Sequence, residues 1–155
     1  MEKRLAALFE ADQAARKTAT IDMESLKVED ATRRAEVMQL LADGKAVSGS
    51  SQYNAAMILQ HGTCADHFRL ANQLAELAMN QGVTPARWLY AASMDRLLVS
   101  QGEPQKYGTQ YRLMDGRWEL NPVDPATSDD ERAKYNVPPL SQAKSMNLPV
   151  PKTNR

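Results

Sequence analysis

From Ser51 to Gln101 only six of 51 residues are charged: Asp66, Arg69, Glu76, Arg87, Asp95 and Arg96. Charge makes up 25% of the whole chain, so this stretch is expected to supply the interior. Each charge that it carries inside needs a partner, because an unpaired buried ion costs several kcal/mol.

Apolar spacing divides the stretch into three helices. The first, about Gln52 to His61 with Ser51 as a cap, buries Tyr53, Ala56 and Met57. Gly62 suits the left-handed position that ends a helix. Thr63-Cys64-Ala65-Asp66 has the pattern of a capping box and opens the second, whose stripe is Phe68, Ala71, Leu74, Ala75 and Ala78, with Gly82 as its stop. Thr84-Pro85 then places a cap before a proline at the first helical position. The third helix runs to about Gln101, where Gly102 stops it. It is apolar nearly all round, from Trp88 to Val99, and such a helix is usually central.

Two helices precede this centre and pack outside it. One spans about Glu2 to Thr18 with Leu5, Leu8 and Phe9 at helical spacing. The other begins between Asp22 and Glu29 and ends at Asp43, before Gly44, with Val37, Leu40 and Leu41 as its stripe. Lys45 to Ser51 reads as a loop. Beyond Gly102 the pattern changes. Gln110–Met114 and Arg117–Leu120 flank Asp115-Gly116, a hairpin signal. Asn121 to Ser128 is loop, and Asp129 to Lys134 makes a short helix. The expectation is a compact, mainly α domain of about five helices over 1–136 with one small β-hairpin near 110–120. An extended, proline-containing tail follows over 137–155.

At 155 residues, with 43% hydrophobic content, one domain is the simplest organisation. A chain of this size buries roughly 70% of its unfolded surface, enough for a core without disulfides or metals. Basic and acidic residues number 19 each, and neither a basic excess nor a basic stripe marks a nucleic-acid binder. Cys64 is the single cysteine, so no intrachain disulfide forms, and a reduced, cytoplasmic setting is expected. No signal peptide or membrane span is visible.

Three groups of residues could carry chemistry. His61 closes a helix, where the dipole favours an imidazolium and the neutral ring could act as a general base. Its structural alternative is a C-cap. Asp95 and Arg96 are a carboxylate and a guanidinium on a helix with little other charge. They form either a structural ion pair, or an orienting group for His61 and a bidentate anion binder. Gln105, Tyr107, Thr109 and Gln110 lie in an irregular segment shaped by Pro104 and Gly108. They line a site or simply begin the hairpin. Asp12 and Arg16, one turn apart, read on spacing alone as a surface pair worth roughly 0.3–0.5 kcal/mol.

His61, Cys64, Asp66 and His67 are close in sequence, but the break at Gly62 and the capping role of Asp66 argue against a metal site. No phosphate-binding glycine loop, nucleophile elbow or His-Glu-x-x-His motif is present. Nothing marks Cys64 as an activated nucleophile. No metal and no cofactor are expected.

In order and spacing, Asp12-Gln13 with Arg16, Gln60-His61-Gly62, Asp95-Arg96, and Gln105 followed by Tyr107-Gly108-Thr109-Gln110 resemble a bacterial family of uncharacterised domains known by its Gln-His, Asp-Arg and Tyr-Gly-Thr-Gln motifs. Asp124 and Arg132 resemble its later acidic and arginine positions. The resemblance runs from about Leu8 to Leu140 and brings no activity with it. It implies that these polar residues recur together, as in a site, which raises Asp12 and Arg16 to candidates beside His61.

The combined expectation is a small enzyme doing acid–base or hydrolytic chemistry on a small polar or anionic substrate. His61, Asp95 and Asp12 would be catalytic, with Asp95 or Asp12 orienting His61. Arg96, Arg16, Gln60, Gln105, Tyr107, Thr109 and Gln110 would bind substrate. The rival is a non-catalytic module for a small ligand, a peptide or a partner protein. A third possibility is a subunit that works beside a partner enzyme.

Overall fold

The computed structural model describes residues 2–17, 21–44, 46–146 and 148. It is mainly helical, in the order α1 (Glu2–Ala15), α2 (Met23–Ala42), α3 (Gly49–Leu59), α4 (Ala65–Asn80), α5 (Ala86–Ser100), β1 (Tyr111–Met114), β2 (Arg117–Leu120), α6 (Asp129–Lys134) and α7 (Leu140–Ser145). The mainly α class with one hairpin is as the sequence pattern indicates. Two short helices, α6 and α7, follow the five long ones.

The centre is α3 rather than α5. α3 touches α1, α2, α4 and α5, and its Ala55, Ala56, Ile58 and Leu59 are at most 1% exposed. Leu5 and Leu8 of α1, Val37 of α2, Ala71, Leu74 and Ala75 of α4, and Leu89 of α5 close around it. Alanines at these contacts let the helix backbones approach closely. α5 packs mainly on α4 and leaves Trp88 38% exposed. Its apolar far side meets a second, smaller cluster built from Ala91, Tyr107 and Val137. A helix apolar all round here serves two cores, one on each side.

The start of α3 lies one turn earlier than expected. Ser48 is the N-cap, and Ser48 and Ser51 satisfy each other's backbone N–H in a capping box. The serine-rich run reads as loop because a serine pair is the less usual form of this cap. Gly49 is required inside that first turn, since a Cβ there would lie 2.9 Å from Val83 Cγ2. The α3–α4 junction also departs from expectation. Gly62 does not take the left-handed conformation; it is small because a Cβ would collide with the His67 side chain. Cys64 precedes α4 without a side-chain cap, and the Thr63 N–H donates to His67 Nδ1 at 3.2 Å.

Asp115 and Gly116, with φ of 48° and 77°, form the turn between β1 and β2, which pair antiparallel from Tyr111↔Leu120 to Met114↔Arg117. Two positive φ values match the right-handed twist of a two-residue hairpin. The segment leading into the hairpin wraps around Asp95. The Asp95 carboxylate is 0% exposed and accepts from the backbone N–H of Lys106, Tyr107, Gly108 and Thr109 at 2.8–2.9 Å, and from Thr109 Oγ1 at 2.8 Å. Burial raises its pKa, and these donors oppose the rise. Gln105, also 0% exposed, donates through Nε2 to the carbonyls of Gln110 and Asn121 and accepts from the Gln110 N–H. Arg132 donates to the carbonyls of Tyr107 and Thr127.

The region expected as an extended tail begins with a buried residue, Val137, and contains α7, where Tyr111 Oη donates to the Ala143 carbonyl at 2.8 Å. The rest of the expected tail, 147 and 149–155, lies outside the described residues. No helix among the described residues is long and apolar enough to cross a membrane.

Asp95→Asn puts an amide nitrogen, a donor, against backbone donors. It lowers stability by about 2–4 kcal/mol, or very roughly 5–15 °C in melting temperature. Amide exchange at residues 106–109 rises in the same variant, as hydrogen-exchange mass spectrometry or NMR will record.

Candidate functional site

Asp12 extends the buried face of α1. Leu5, Leu8 and Asp12 fall on one side of the helix, and all three are buried. A carboxylate in that stripe must be compensated, and three elements contribute. His61, just past the end of α3, brings Nδ1 to 3.1 Å from Asp12 Oδ1. Arg16, one turn on in α1, donates Nη1 to the same oxygen at 2.7 Å. Gln13 Nε2 donates to Oδ2 at 2.9 Å. The network continues into α2: Arg16 Nη2 donates to Asp30 Oδ2 at 2.7 Å, and Arg33 Nη2 to Asp30 Oδ1 at 2.8 Å. Arg33 Nε lies 3.9 Å from Asp12 Oδ1. Arg34, also from α2, donates to the His61 carbonyl at 2.9 Å and so caps the end of α3.

The carboxylate can only accept, so His61 Nδ1 carries the proton and Nε2 holds the lone pair of a neutral ring. Burial lowers the His61 pKa; Asp12 opposes this, and the charges of Arg16 and Arg96 add to it. Burial and the two arginines therefore outweigh the helix dipole, which alone favours the imidazolium. Burial alone would raise the Asp12 carboxyl, but the His61 hydrogen bond and the charges of His61 and Arg16 hold it below its ordinary value. The result is an ionised acid orienting a neutral base.

Arg96, partly buried on α5, makes no ion pair among the described residues, and its buried Nε has no hydrogen-bond partner. Burial, then the charge of Arg16, lowers its pKa. It lines an open cleft of about 210 Å³ with Phe68, Val99, Ser100, Gln110, Tyr111 and Asn121.

The other sequence candidates lie elsewhere. Asp95 does not reach His61, because both its oxygens are filled by residues 106–109. Thr109 and Gln105 are spent on the same wrap. Tyr107 is 1% exposed and packs its ring against Tyr90 and Tyr135, where burial raises its pKa far above the ordinary phenol. Gln60 is buried, with its Oε1 unpartnered. The geometry thus joins His61, Asp12 and Arg16, places Arg96 within electrostatic reach of them, and sets Gln110 in the Arg96 cleft. Spacing overlooked Gln13, Asp30, Arg33 and Arg34. Only the position of Asp12 in an apolar stripe hinted that α2 had to supply cations. No group of three or more His, Cys, Asp or Glu side chains suited to a metal ion occurs among the described residues.

The model of a family described as "Family of unknown function (DUF6624)" matches residues 1–147, and the chain belongs to that family. No curated protein and no solved structure matches it.

His61 and Asp12 both bind protons more weakly in the folded than in the unfolded chain. Their stabilisation is present above the unfolded pKa values and is lost as pH falls through the folded ones. Acid unfolding therefore begins below about pH 6.5, the ordinary histidine value, and steepens below about pH 3.9, the ordinary aspartate value. His67, also shifted down, contributes to the first step, so His61→Gln shrinks that step without erasing it. ¹⁵N NMR is expected to show His61 as the Nδ1–H tautomer, titrating below its ordinary value. Asp12→Asn moves that titration lower still and destabilises by about 2 kcal/mol, because His61 and Arg16 lose a charged acceptor while Arg16 keeps Asp30.

Proposed function

We propose that this member of a family of unknown function acts on a small anionic substrate by acid–base chemistry. One observation carries the reading: Arg96 is partly buried with no ion pair among the described residues and no partner for its Nε, and its charge acts on a neutral histidine held by a buried carboxylate. Desolvating a cation with no counter-ion costs stability. A bound anion removes that penalty, and Arg96 can meet it bidentately.

In this reading His61 Nε2 takes a proton from the substrate or from a water. The imidazolium that forms is stabilised by Asp12, which stays ionised, and the proton returns to the leaving group or product. Arg16 is committed to Asp12 and Asp30; it sets the electrostatics of the dyad and adds positive potential for the anion. Gln110 lines the approach. Asp95, Gln105, Tyr107 and Thr109 act through the loop that they hold, rather than on the substrate. The exposed Cys64, with no partner for an intrachain disulfide, fits a cytoplasmic setting.

The second reading is a non-catalytic binding module, and one observation favours it. The residues lining the Arg96 cleft do not include His61 or Asp12. The cleft could then hold an anion while the dyad only joins α1 to α3.

A thermal-shift screen with small carboxylates and phosphates tests both readings. At 100 times its dissociation constant a ligand adds roughly 2.7 kcal/mol, several degrees for a domain of this size. Arg96→Met, which removes the stranded charge, melts at or above the wild-type temperature without ligand and loses the shift. His61→Gln keeps the shift and loses turnover. If no anion shifts the wild type, or if the shift survives Arg96→Met, the anion reading is wrong. Turnover that survives His61→Gln overturns His61 as the base, and an Arg96-dependent shift with no turnover of any bound anion leaves the binding module.

A further inference from the structure

The cleft beside Arg96 has a composition that narrows the anion. It lies between α4, α5 and the base of the hairpin, with Phe68 and Val99 as apolar walls and Gln110 and Asn121 as neutral polar ones. Gln110 Nε2 donates one hydrogen to Thr109 Oγ1 at 2.9 Å, which leaves its second N–H and its carbonyl oxygen for a ligand. The Asn121 backbone is bonded on both sides, its N–H to the Gln110 carbonyl and its carbonyl to Gln105 Nε2. That fixes the residue at the hairpin base while its carboxamide remains open to a ligand, as acceptor and as donor. Among the described residues the cleft therefore presents one cation without an ion pair, neutral carboxamides that can both donate and accept, and an apolar wall.

These groups discriminate between anions. A phosphate monoester near neutral pH brings close to two negative charges and oxygens that mostly accept. Among the described residues it would meet only one guanidinium without an ion pair, which leaves its second charge uncompensated. A carboxylate brings one charge and pairs bidentately with a guanidinium. A neighbouring N–H or O–H on the same molecule satisfies Gln110, and a neighbouring carbonyl satisfies Asn121. The cleft of about 210 Å³ is open on one side and suits a small ligand.

We propose that the cleft formed by Phe68, Arg96, Val99, Gln110 and Asn121 is the subsite for a small monocarboxylate bearing an adjacent amide or hydroxyl, its carboxylate on Arg96 and its neutral group on Gln110 and Asn121. This deepens the anion reading above and rests on it. Gln110 and Asn121 then determine which carboxylate is accepted, and Arg96 only that it is an anion.

The test is a ¹H–¹⁵N NMR titration of the full chain with four probes: N-acetylglycine, its neutral amide N-acetylglycinamide, acetate and inorganic phosphate. N-acetylglycine is expected to bind saturably, moving resonances of Phe68, Arg96, Val99, Gln110 and Asn121. The neutral amide and phosphate are expected to bind at least tenfold more weakly. Arg96→Gln should weaken N-acetylglycine by tenfold or more. Asn121→Ala should weaken it several-fold yet leave the binding of acetate, which lacks the neutral group, unchanged; the spectrum of each variant reports that it is folded. Phosphate binding as tightly as N-acetylglycine in this cleft overturns the monocarboxylate assignment and leaves the anion reading standing. Equal binding of the neutral amide, or perturbations confined to other surfaces, overturns the subsite. If none of the anions binds anywhere, both readings fail together.

Discussion

The Asp95 carboxylate sits without solvent exposure and collects five hydrogen bonds from residues 106–109. Much of the C-terminal half depends on that arrangement. Four consecutive backbone N–H groups turned towards one side chain fix the path of the chain as it leaves α5. That path sets Tyr107 against Tyr90 and Tyr135, which stack on each other, and delivers Gln110 to the base of the hairpin. Arg132 holds the same turn from the other side through the Tyr107 carbonyl. The segment is irregular in conformation yet almost fully satisfied in hydrogen bonding, as buried backbone must be.

A second buried carboxylate, Asp12, faces side chains instead of backbone. Its partners are His61, Arg16 and Gln13, each of which can titrate, move or be exchanged for a ligand. Asp95 is locked by amides that can do none of these. The two acids are chemically identical, and their neighbours separate them into an anchor held mainly by backbone and an acid paired with a titratable side chain. Arg96, next in sequence to Asp95, gains nothing from it, because Asp95 is already saturated. Among the described residues the chain thereby keeps a guanidinium without an ion pair next to Asp95, the one acid of α5, and that cation lines the cleft where the anion reading places substrate.

Much of the helical architecture was legible from residue spacing. The stripe of α4 and the glycines that close α4 and α5 mark their elements, and Asp115-Gly116 marks the hairpin turn, because each is a local signal acting over a few residues. Local signals failed where a contact from elsewhere decided the outcome. Gly62 is small to admit His67, and Gly49 to admit Val83, neither of which a helix-stop rule anticipates. Among the site candidates, the Asp95-Arg96 pair looked like a unit because its members are adjacent. On a helix, adjacent side chains diverge by about 100°, and they serve different environments here.

The sequence by itself determined that charge-poor helices would form the interior, that a two-residue turn would join a short hairpin, and that a few polar residues would need partners inside. These follow from periodicity, turn chemistry and the cost of burying charge. Only the tertiary structure decided which partners they took. Asp12 meets His61 across 49 positions and Asp95 meets the turn at residues 106–109, and neither pairing has a local signature. The energy that selects each pairing belongs to the assembled interior, where every buried donor and acceptor competes for the same few oxygens. That competition left Arg96 without one.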